Sequence, residues 1–261
     1  MQKWILLLLL SPVLSESVIA EQSTENRGLK IAMEADRRDE GFGDSRVDLI
    51  MLLKNKNGDE STRYIRLRTL ETKGDGDKSM SIFDRPRDVK GTAFLSFTHK
   101  EKSDDQWLFL PALKRVKRIA SRNKSGSFMG SEFAFEDLSS QEIEKYTYKF
   151  LRDDDCGELK CFVIERDPVD KYSGYTRQEV WLDTQEYRVQ KTKFYDRKNS
   201  LLKTLTVSGY SQYLDKYWRP AKMFMENHQT GKSTLLSWSN YKFGNGYSAR
   251  DFDRSSLKRA R

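Results

Sequence analysis

The chain has 261 residues and a formal net charge of +8, and 37% of its residues are hydrophobic, 12% aromatic and 33% charged. Aromatic side chains bury a large area each, so one sizeable core is possible despite the modest hydrophobic content. Beyond the N-terminal segment, no stretch is apolar enough to span a membrane as a helix. A basic chain can bind nucleic acid, but the N-terminal segment indicates export and so argues against nucleic acid as a partner.

Residues 1–20 have the three-part layout of a secretory signal peptide. Lys3 supplies the basic region, residues 4–10 form an unbroken apolar run, and small or β-branched residues occupy the −3 and −1 positions before a cleavage point at Ala20. A membrane anchor is the alternative, but the run is shorter than the roughly 20 apolar residues that a spanning helix needs. We therefore predict cleavage after Ala20 and a mature chain, 21–261, that forms a single domain.

The first element of the mature chain is predicted to be a helix over residues 28–40. Leu29, Ile31 and Met33 are among five apolar residues that cluster on one side of it, and the glycines of the 41–43 turn end it.

The remainder of the chain alternates between apolar and polar residues with a period of two, which is typical of half-buried strands. Turn residues separate the runs, so short antiparallel strands in a sheet, barrel or sandwich are predicted, and a parallel α/β sheet is disfavoured. Residues 113–137 alternate poorly, and residues 248–261 could form a short terminal helix. The predicted strands are 47–53, 65–67, 80–83, 93–97, 106–110, 146–150, 162–164, 178–182, 187–195, 201–210, 218–225 and 233–243.

Two cysteines, Cys156 and Cys161, lie at the tip of a predicted hairpin. In an exported protein, such a closely spaced pair is expected to form a disulfide. A redox-active pair would need the tighter C-x-x-C spacing, so a structural bridge is favoured.

No catalytic or metal-binding constellation can be identified in the sequence. The two histidines, His99 and His228, lie in polar turn-like stretches without a second ligand at metal-binding spacing, so both are expected to be exposed. The motifs of serine hydrolases, zinc proteases, P-loop proteins and dinucleotide-binding enzymes are missing. We therefore expect no enzymatic activity, no metal and no cofactor.

The most distinctive segment is residues 107–138, where aromatic and basic residues precede a stretch rich in glycine and phenylalanine. Between Asp105 and Glu132 it has no acid. Such a basic stripe suits an anionic head group or an acidic partner protein, although a solvated strand face is the simpler interpretation of the stripe alone. The stripe consists of Lys114, Arg115, Lys117, Arg118, Arg122 and Lys124.

Within residues 107–138, the order W-x-F-L-P-A-L-x-R-V-x-R-I followed by S-F-M-G-S-E-F-x-F-E-D-L resembles the LolA-like outer-membrane lipoprotein-sorting family, in its RND-exporter-associated branch. Weaker matches at 181–183, 195–196, 218–220 and 230–234 extend the resemblance over most of the mature chain. The resemblance implies a mainly β fold in the periplasm. It would be a strongly curved antiparallel sheet, an incomplete β-barrel, with a few helices covering its concave face.

The function that the resemblance implies is a periplasmic carrier that binds lipid or lipoprotein acyl chains in an apolar cavity and transfers them to the outer membrane. Arg115 and Arg118 are expected at the rim of the cavity, in contact with a head group or a partner. The aromatic residues of the distinctive segment could line the cavity as a flap, or could equally form ordinary core. The cavity-lining candidates are Trp107, Phe109, Phe128, Met129, Phe133 and Phe135.

The alternative function is a periplasmic adaptor that contacts an envelope transporter, for example an RND-type inner-membrane transporter, without moving lipid. The basic stripe supports this adaptor as well as it supports the carrier. Both alternatives imply peripheral contact with membranes, no transmembrane segment in the mature form and no nucleic acid.

When the full chain is produced in a Gram-negative host, we expect the recovered protein to begin at Glu21, because signal peptidase cleaves after a small residue. Intact-mass measurement of protein released from the periplasm checks this. An Ala20→Tyr control, which removes the small −1 residue, should keep the leader attached. Recovery of wild-type chain that still starts at Met1 would show that the segment is not a cleaved signal.

Overall fold

The computed structural model describes residues 13–259, with side chains described from residue 22 onward. Two α-helices flank the strands, α1 (Val13–Asp39) and α2 (Arg254–Arg259). The strands are β1 (Asp44–Lys54), β2 (Glu60–Leu70), β3 (Lys78–Arg85), β4 (Ala93–Phe97), β5 (Asp105–Leu110), β6 (Arg115–Ile119), β7 (Tyr146–Cys156), β8 (Leu159–Pro168), β9 (Tyr175–Asp183), β10 (Val189–Asp196), β11 (Leu201–Ser208), β12 (Ser211–Tyr213), β13 (Tyr217–Arg219), β14 (Lys222–Asn227) and β15 (Ser233–Phe243).

Thirteen of these strands form one antiparallel sheet in the order β6-β5-β4-β3-β2-β1-β15-β14-β11-β10-β9-β8-β7. The sheet is open, with β6 and β7 as its two edges, and β12 and β13 form a separate two-stranded ribbon. This confirms the expected mainly β, incomplete-barrel fold.

One face of the sheet, called the inner face here, carries apolar side chains from strand to strand. Ile164 pairs with Val180 at one end of the sheet, and Phe94 pairs with Leu108 at the other. A single buried cluster collects inner-face residues from β5 round to β9. In a flat sheet these strands would lie about 40 Å apart at about 4.8 Å per strand, so the sheet must curve strongly around its inner face.

The opposite, outer face has its own apolar cluster near β3, β4 and β5. There Trp107 pairs with Leu95, and the buried Phe252 and Leu257 of the C-terminal segment cover both. The short terminal helix expected within 248–261 is therefore confirmed as α2. Because residues alternate between the faces of a strand, Trp107 and its neighbour Leu108 belong to different clusters.

Strands β6 and β7 are consecutive in the chain but lie at opposite edges of the sheet. Residues 120–145, called the crossing segment here, must therefore pass over the inner face to connect them. Phe128 and Phe133 of this segment are 2% and 3% exposed and belong to the inner-face cluster. The crossing segment thus fills part of the space that the curved sheet encloses.

A buried ion pair ties the crossing segment to the sheet. Lys203 Nζ on β11 donates to Asp137 Oδ2 at 2.7 Å and to the Glu132 carbonyl oxygen at 2.8 Å. The Lys203 and Asp137 side chains are only 4% and 6% exposed. Asp137 also accepts hydrogen bonds from the Tyr175 hydroxyl at 2.8 Å and from the Ala134 amide at 2.7 Å. A buried charge needs such full pairing because its desolvation is costly.

Helix α1 covers the part of the inner face next to β7 and β8. Ile31 and Ala32 are buried there, and Ala35 packs against the same cluster. At Gly28 an added Cβ would lie 2.6 Å from the carbonyl carbon of Lys149, so only glycine permits this close approach. Positions 28, 31, 32 and 35 share one stripe of the helix, as its 3.6-residue period requires.

The helix predicted over residues 28–40 is confirmed, but α1 starts much earlier, at Val13. Leu29 and Met33, which were expected on its packed side, are 37% and 52% exposed. Residues 1–12 of the predicted signal lie outside the described part of the chain, so cleavage after Ala20 stays a prediction.

One strand lacked predicted bounds, and one strand prediction was wrong. β6 forms within residues 113–137, which alternate poorly, and Pro220 divides the predicted strand 218–225 into β13 and β14. As an edge strand, β6 is mostly exposed, which explains its weak apolar pattern. Cys156 and Cys161 form the expected disulfide at the β7–β8 hairpin, with their Cα atoms 6.0 Å apart.

We expect Lys203→Met to lower the free energy of unfolding by about 3–5 kcal/mol, because it leaves the Asp137 carboxylate buried without its cation. Urea unfolding followed by tryptophan fluorescence measures this. The control is Lys160→Met, which removes a 77% exposed partner of Asp155 and should cost less than about 1 kcal/mol. Equal, small losses in both variants would contradict a structural role for the buried pair.

Candidate binding cavity

A cavity of about 1270 Å³ lies on the inner face beside the crossing segment. Its floor is made by inner-face side chains of the strands from β8 to β14. Because side chains alternate between the two faces of a strand, every second position of these strands places an apolar side chain in the cavity. Floor residues include Ile164, Val180, Phe194, Leu205, Val207 and Met225.

The side walls of the cavity come from α1 and from the crossing segment. Ala32 and Ala35 present only methyl groups from the helix, while Phe133 and Ile143 face the cavity from the crossing segment. Small side chains on the helix leave a space that larger ones would fill. The cavity is therefore the part of the enclosed volume that neither α1 nor the crossing segment occupies.

The mouth of the cavity is polar. It is formed by the end of α1, by the loop between β2 and β3, and by the β12–β13 ribbon. The Glu71 carboxylate of the loop accepts hydrogen bonds from the Gly41 and Gly43 amides at 2.5 and 2.8 Å, which fixes the loop to the end of the helix. Asp39 pairs with Arg219 across the mouth.

Three carboxyl groups at the mouth, Asp36, Asp77 and Glu142, form no ion pair within the described residues. Burial, together with the nearby Glu142 and Glu71 carboxylates, raises the pKa of Asp77 to about 7, against one hydrogen bond from the Thr72 amide. Burial also raises the pKa values of Glu142 and Asp36. Nearby carboxylates add to the rise at both groups, and the Asp36 carboxylate is one of those that act on Glu142. The mouth thus concentrates negative charge that is poorly solvated.

Of the six residues predicted to line a cavity, Phe133 lines this one. Phe128 and Phe135 lie in the inner-face cluster under the crossing segment, with ring centroids 5.6 Å apart, and Met129 is half-buried beside them. The structure thus brings the four crossing-segment residues together. Their role in binding ligand stays a prediction.

The other two candidates, Trp107 and Phe109, lie on the outer face and belong to the cluster that α2 covers. They are separated from the four crossing-segment residues by the sheet itself. The sequence grouped them with those residues because they are close in the chain, but adjacent strand positions alternate between faces.

The predicted rim residues Arg115 and Arg118 lie on edge strand β6 and are exposed, and neither lines the cavity. Arg118 pairs with Asp105 of β5. Cations on an edge strand discourage pairing with another chain, which is a structural reason for the basic stripe. Lys124 of the stripe is instead tied to Asp170 at 2.8 Å.

His99 was expected to be exposed, and this was wrong. It is buried, with Nδ1 2.7 Å from Asp75 Oδ2 and Nε2 3.3 Å from Asp105 Oδ2. The hydrogen bond from His99 lowers the pKa of Asp75 to about 2. His228 is exposed, as expected. In the described part of the chain, no group of three or more histidine, cysteine, aspartate or glutamate side chains could hold a metal ion.

The apolar floor was not identified from the sequence, although each of its strands was predicted. Alternation marks two sets of residues in every strand but does not say which set faces a cavity and which faces packed core. Only the positions of α1 and the crossing segment decide this.

Comparison with known proteins finds a matching family model and similar solved structures. A protein-family model described as "Uncharacterized protein" matches residues 75–259. A crystal structure from Vibrio parahaemolyticus, described as an outer membrane lipoprotein-sorting protein domain, is 58% identical, with a TM-score of 0.88, and the match covers 90% of this chain and 99% of that one.

Two further solved structures share the architecture. A DUF1329 family protein from Desulfovibrio piger is 28% identical over 90% of this chain and 99% of that one, with a TM-score of 0.85. A LolA superfamily protein from Nitrosomonas europaea is 20% identical over 88% and 98%, with a TM-score of 0.71, which supports the fold alone. No curated protein matches the chain. Within residues 13–259, no helix is long and apolar enough to cross a membrane.

We expect Asp77→Asn to stabilise the protein at about pH 8 and to have little effect at about pH 4. Because the folded-state pKa of Asp77, about 7, lies above the ordinary aspartate value of 3.8, ionising this carboxyl costs stability progressively as the pH rises from about 4 to 7. The gain above pH 7 should reach at most about 4 kcal/mol, at 1.36 kcal/mol per pKa unit. Urea unfolding at both pH values measures the difference, and equal stabilisation at both would contradict the raised pKa.

Proposed function

Because the chain belongs to the LolA-like family of outer membrane lipoprotein-sorting proteins, we propose that it is a periplasmic carrier that binds acyl chains of lipid or lipoprotein in the inner-face cavity. The single observation that carries this proposal is a cavity of about 1270 Å³ with an apolar floor and a polar mouth. Ligand pockets for drug-sized molecules are about 300–1,000 Å³, so this one has room for a larger amphiphile.

The energetic case rests on burial of methylene groups. Each CH₂ transferred from water to an apolar site contributes about 0.8 kcal/mol. A chain of about a dozen carbons would gain on the order of 10 kcal/mol before the costs of ordering ligand and protein. Micromolar affinity needs about 8 kcal/mol, so an acyl chain alone could bind at that level.

The geometry also fits an amphiphile in a definite orientation. Leu205 and Met225 of the floor lie on strands far inside the sheet, whereas the charged groups of Asp39 and Arg219 stand at the mouth. An acyl chain on the floor would leave its head group among the charged residues. Water would reach the head group but not the chain.

The crossing segment acts as a fixed wall of this carrier. Asn227 Nδ2 donates to Glu132 Oε2 at 2.6 Å, and the Thr234 hydroxyl oxygen accepts the Glu132 amide at 3.0 Å. Together with the buried pair of Lys203 and Asp137, these bonds hold the segment to β11, β14 and β15. We therefore propose that ligand enters through the polar mouth without displacement of the segment.

Periplasmic location, cleavage after Ala20, a single domain over 21–261 and delivery to the outer membrane are parts of this proposal. The name of the Vibrio parahaemolyticus structure supports a role in lipoprotein sorting. None of those names mentions an RND-type transporter, and the exposed cations of β6 are accounted for by protection of an edge. The adaptor alternative therefore has no observation of its own in its favour.

We expect the purified mature protein to bind a fluorescent long-chain fatty acid or lipopeptide at micromolar concentration. Leu205→Trp should weaken this binding at least about tenfold, a loss of about 1.4 kcal/mol, because the larger side chain fills the cavity. The matched control is Thr206→Trp. Thr206 is the next residue on β11 and is exposed on the outer face.

Fluorescence titration of wild type and both variants measures the affinities. Loss of binding in both variants would show that the tryptophan acts on stability, and this is checked by their unfolding transitions. Failure of the wild-type protein to bind any of the acyl ligands at micromolar concentration would refute the carrier function.

A further inference from the structure

We infer that the mouth of the cavity selects amphiphiles whose head group carries an ammonium, with the carboxylates of Glu142 and Asp77 as its counter-charges. This inference rests on the proposed carrier function and names the chemical class of its ligand. The observations that support it are the burial and the ion pairing of the charged side chains around the mouth.

Glu142 of the crossing segment is the central group. It is only 9% exposed, it lines the cavity, and its carboxylate has no hydrogen-bond or ion-pair partner within the described residues. A carboxylate on a largely buried side chain is poorly solvated, and an ammonium placed in the cavity would supply a counter-charge and hydrogen bonds.

Asp77 lines the same opening, on the loop between β2 and β3. This loop approaches Glu142 so closely that a Cβ on Gly76 would lie 2.8 Å from Glu142 Oε1. Asp77 accepts one hydrogen bond, from the Thr72 amide at 3.3 Å. Burial raises the pKa of both carboxyl groups, and the Glu142 carboxylate adds to the rise at Asp77, as expected of like charges in a poorly solvated site.

Asp36 adds a third carboxyl group to this side of the mouth. It projects from the last turns of α1 and lines the cavity, and the nearby Glu142 senses its charge. Lys100 lies near both of them and Lys145 near Glu142, but Lys100 Nζ is 3.9 Å from Glu144 and Lys145 pairs with Asp104. The carboxylates therefore outnumber the cations available to them.

Three arginines of the mouth are engaged in ion pairs: Arg219 with Asp39, Arg38 with Glu186 at 3.0 Å, and Arg188 with Asp183 at 2.8 Å. Lys73 and Lys216 also line the cavity and form no ion pair within the described residues, but the lining contains more acidic than basic side chains. An ammonium would meet carboxylates that lack partners, whereas an anionic head group would add to the excess of negative charge. This preference runs against the net charge of +8, so bulk attraction cannot produce it.

The test compares three amphiphiles with the same twelve-carbon chain, each below its micelle concentration: dodecylamine, dodecanol and dodecanoate. Their affinities for the mature protein are measured by displacement of a fluorescent fatty acid at neutral pH. We expect dodecylamine to bind at least about tenfold more tightly than dodecanoate, a difference of about 1.4 kcal/mol. Dodecanol should fall between them.

The preference should nearly vanish in the variant Glu142→Gln, Asp77→Asn, which keeps the shape of the site but removes its charges. The control is Glu158→Gln, which removes the charge of an exposed acid that does not line the cavity. This control should keep the wild-type preference for the amine, and the double variant should keep the affinity for dodecanol.

Equal binding of the three amphiphiles, or tightest binding of dodecanoate, would overturn the inference and leave the carrier function standing. An unchanged preference in the double variant would overturn it as well. If none of the three binds, the carrier function itself fails. Two natural sources of the ammonium are then compared with matched partners: phosphatidylethanolamine against phosphatidylglycerol, and a lipopeptide with lysine against one with serine.

Discussion

The buried pair of Lys203 and Asp137 is the interaction on which the shape of the enclosed space depends. An open sheet of thirteen strands cannot cover its own inner face, so the chain must supply a cover. The crossing segment does so, but its backbone hydrogen bonds are mostly within the segment itself and do not join it to the sheet. Fixing it by a fully hydrogen-bonded ion pair places Phe128 and Phe133 in the inner-face cluster and limits how far the segment extends.

The same arrangement explains why a cavity exists at all. The crossing segment fills the inner face near β1 to β5, and α1 fills it near β7 and β8, but neither covers the floor around Leu205 and Val207. Protein interiors are normally packed to crystal density. A gap of about 1270 Å³ with an apolar floor therefore belongs to the architecture, and an apolar ligand is the natural occupant.

Affinity and selectivity are divided between two parts of the cavity. The floor is apolar and would give affinity in proportion to the length of the chain that it buries. The mouth contains Asp77 and Glu142, whose pKa values are raised chiefly by burial and which form no ion pair within the described residues. Uncompensated charge in a poorly solvated place discriminates strongly between ligands of opposite sign.

The sequence by itself determined the class of the fold, most of the strands, the terminal helix, the disulfide and the family. These follow from local patterns: a period of two, turn residues, cysteine spacing and the motif of residues 107–138. The tertiary structure alone decided which face of each strand is the inner one. That choice places Trp107 on the outer face and Phe133 in the cavity.

It also decided the surroundings of charged groups, such as the burial of His99 between two aspartates and the isolation of Glu142. The physical reason is that alternation is symmetric between the two faces of a strand. The two faces become different only because distant segments, here α1, α2 and the crossing segment, each pack against one face and not the other.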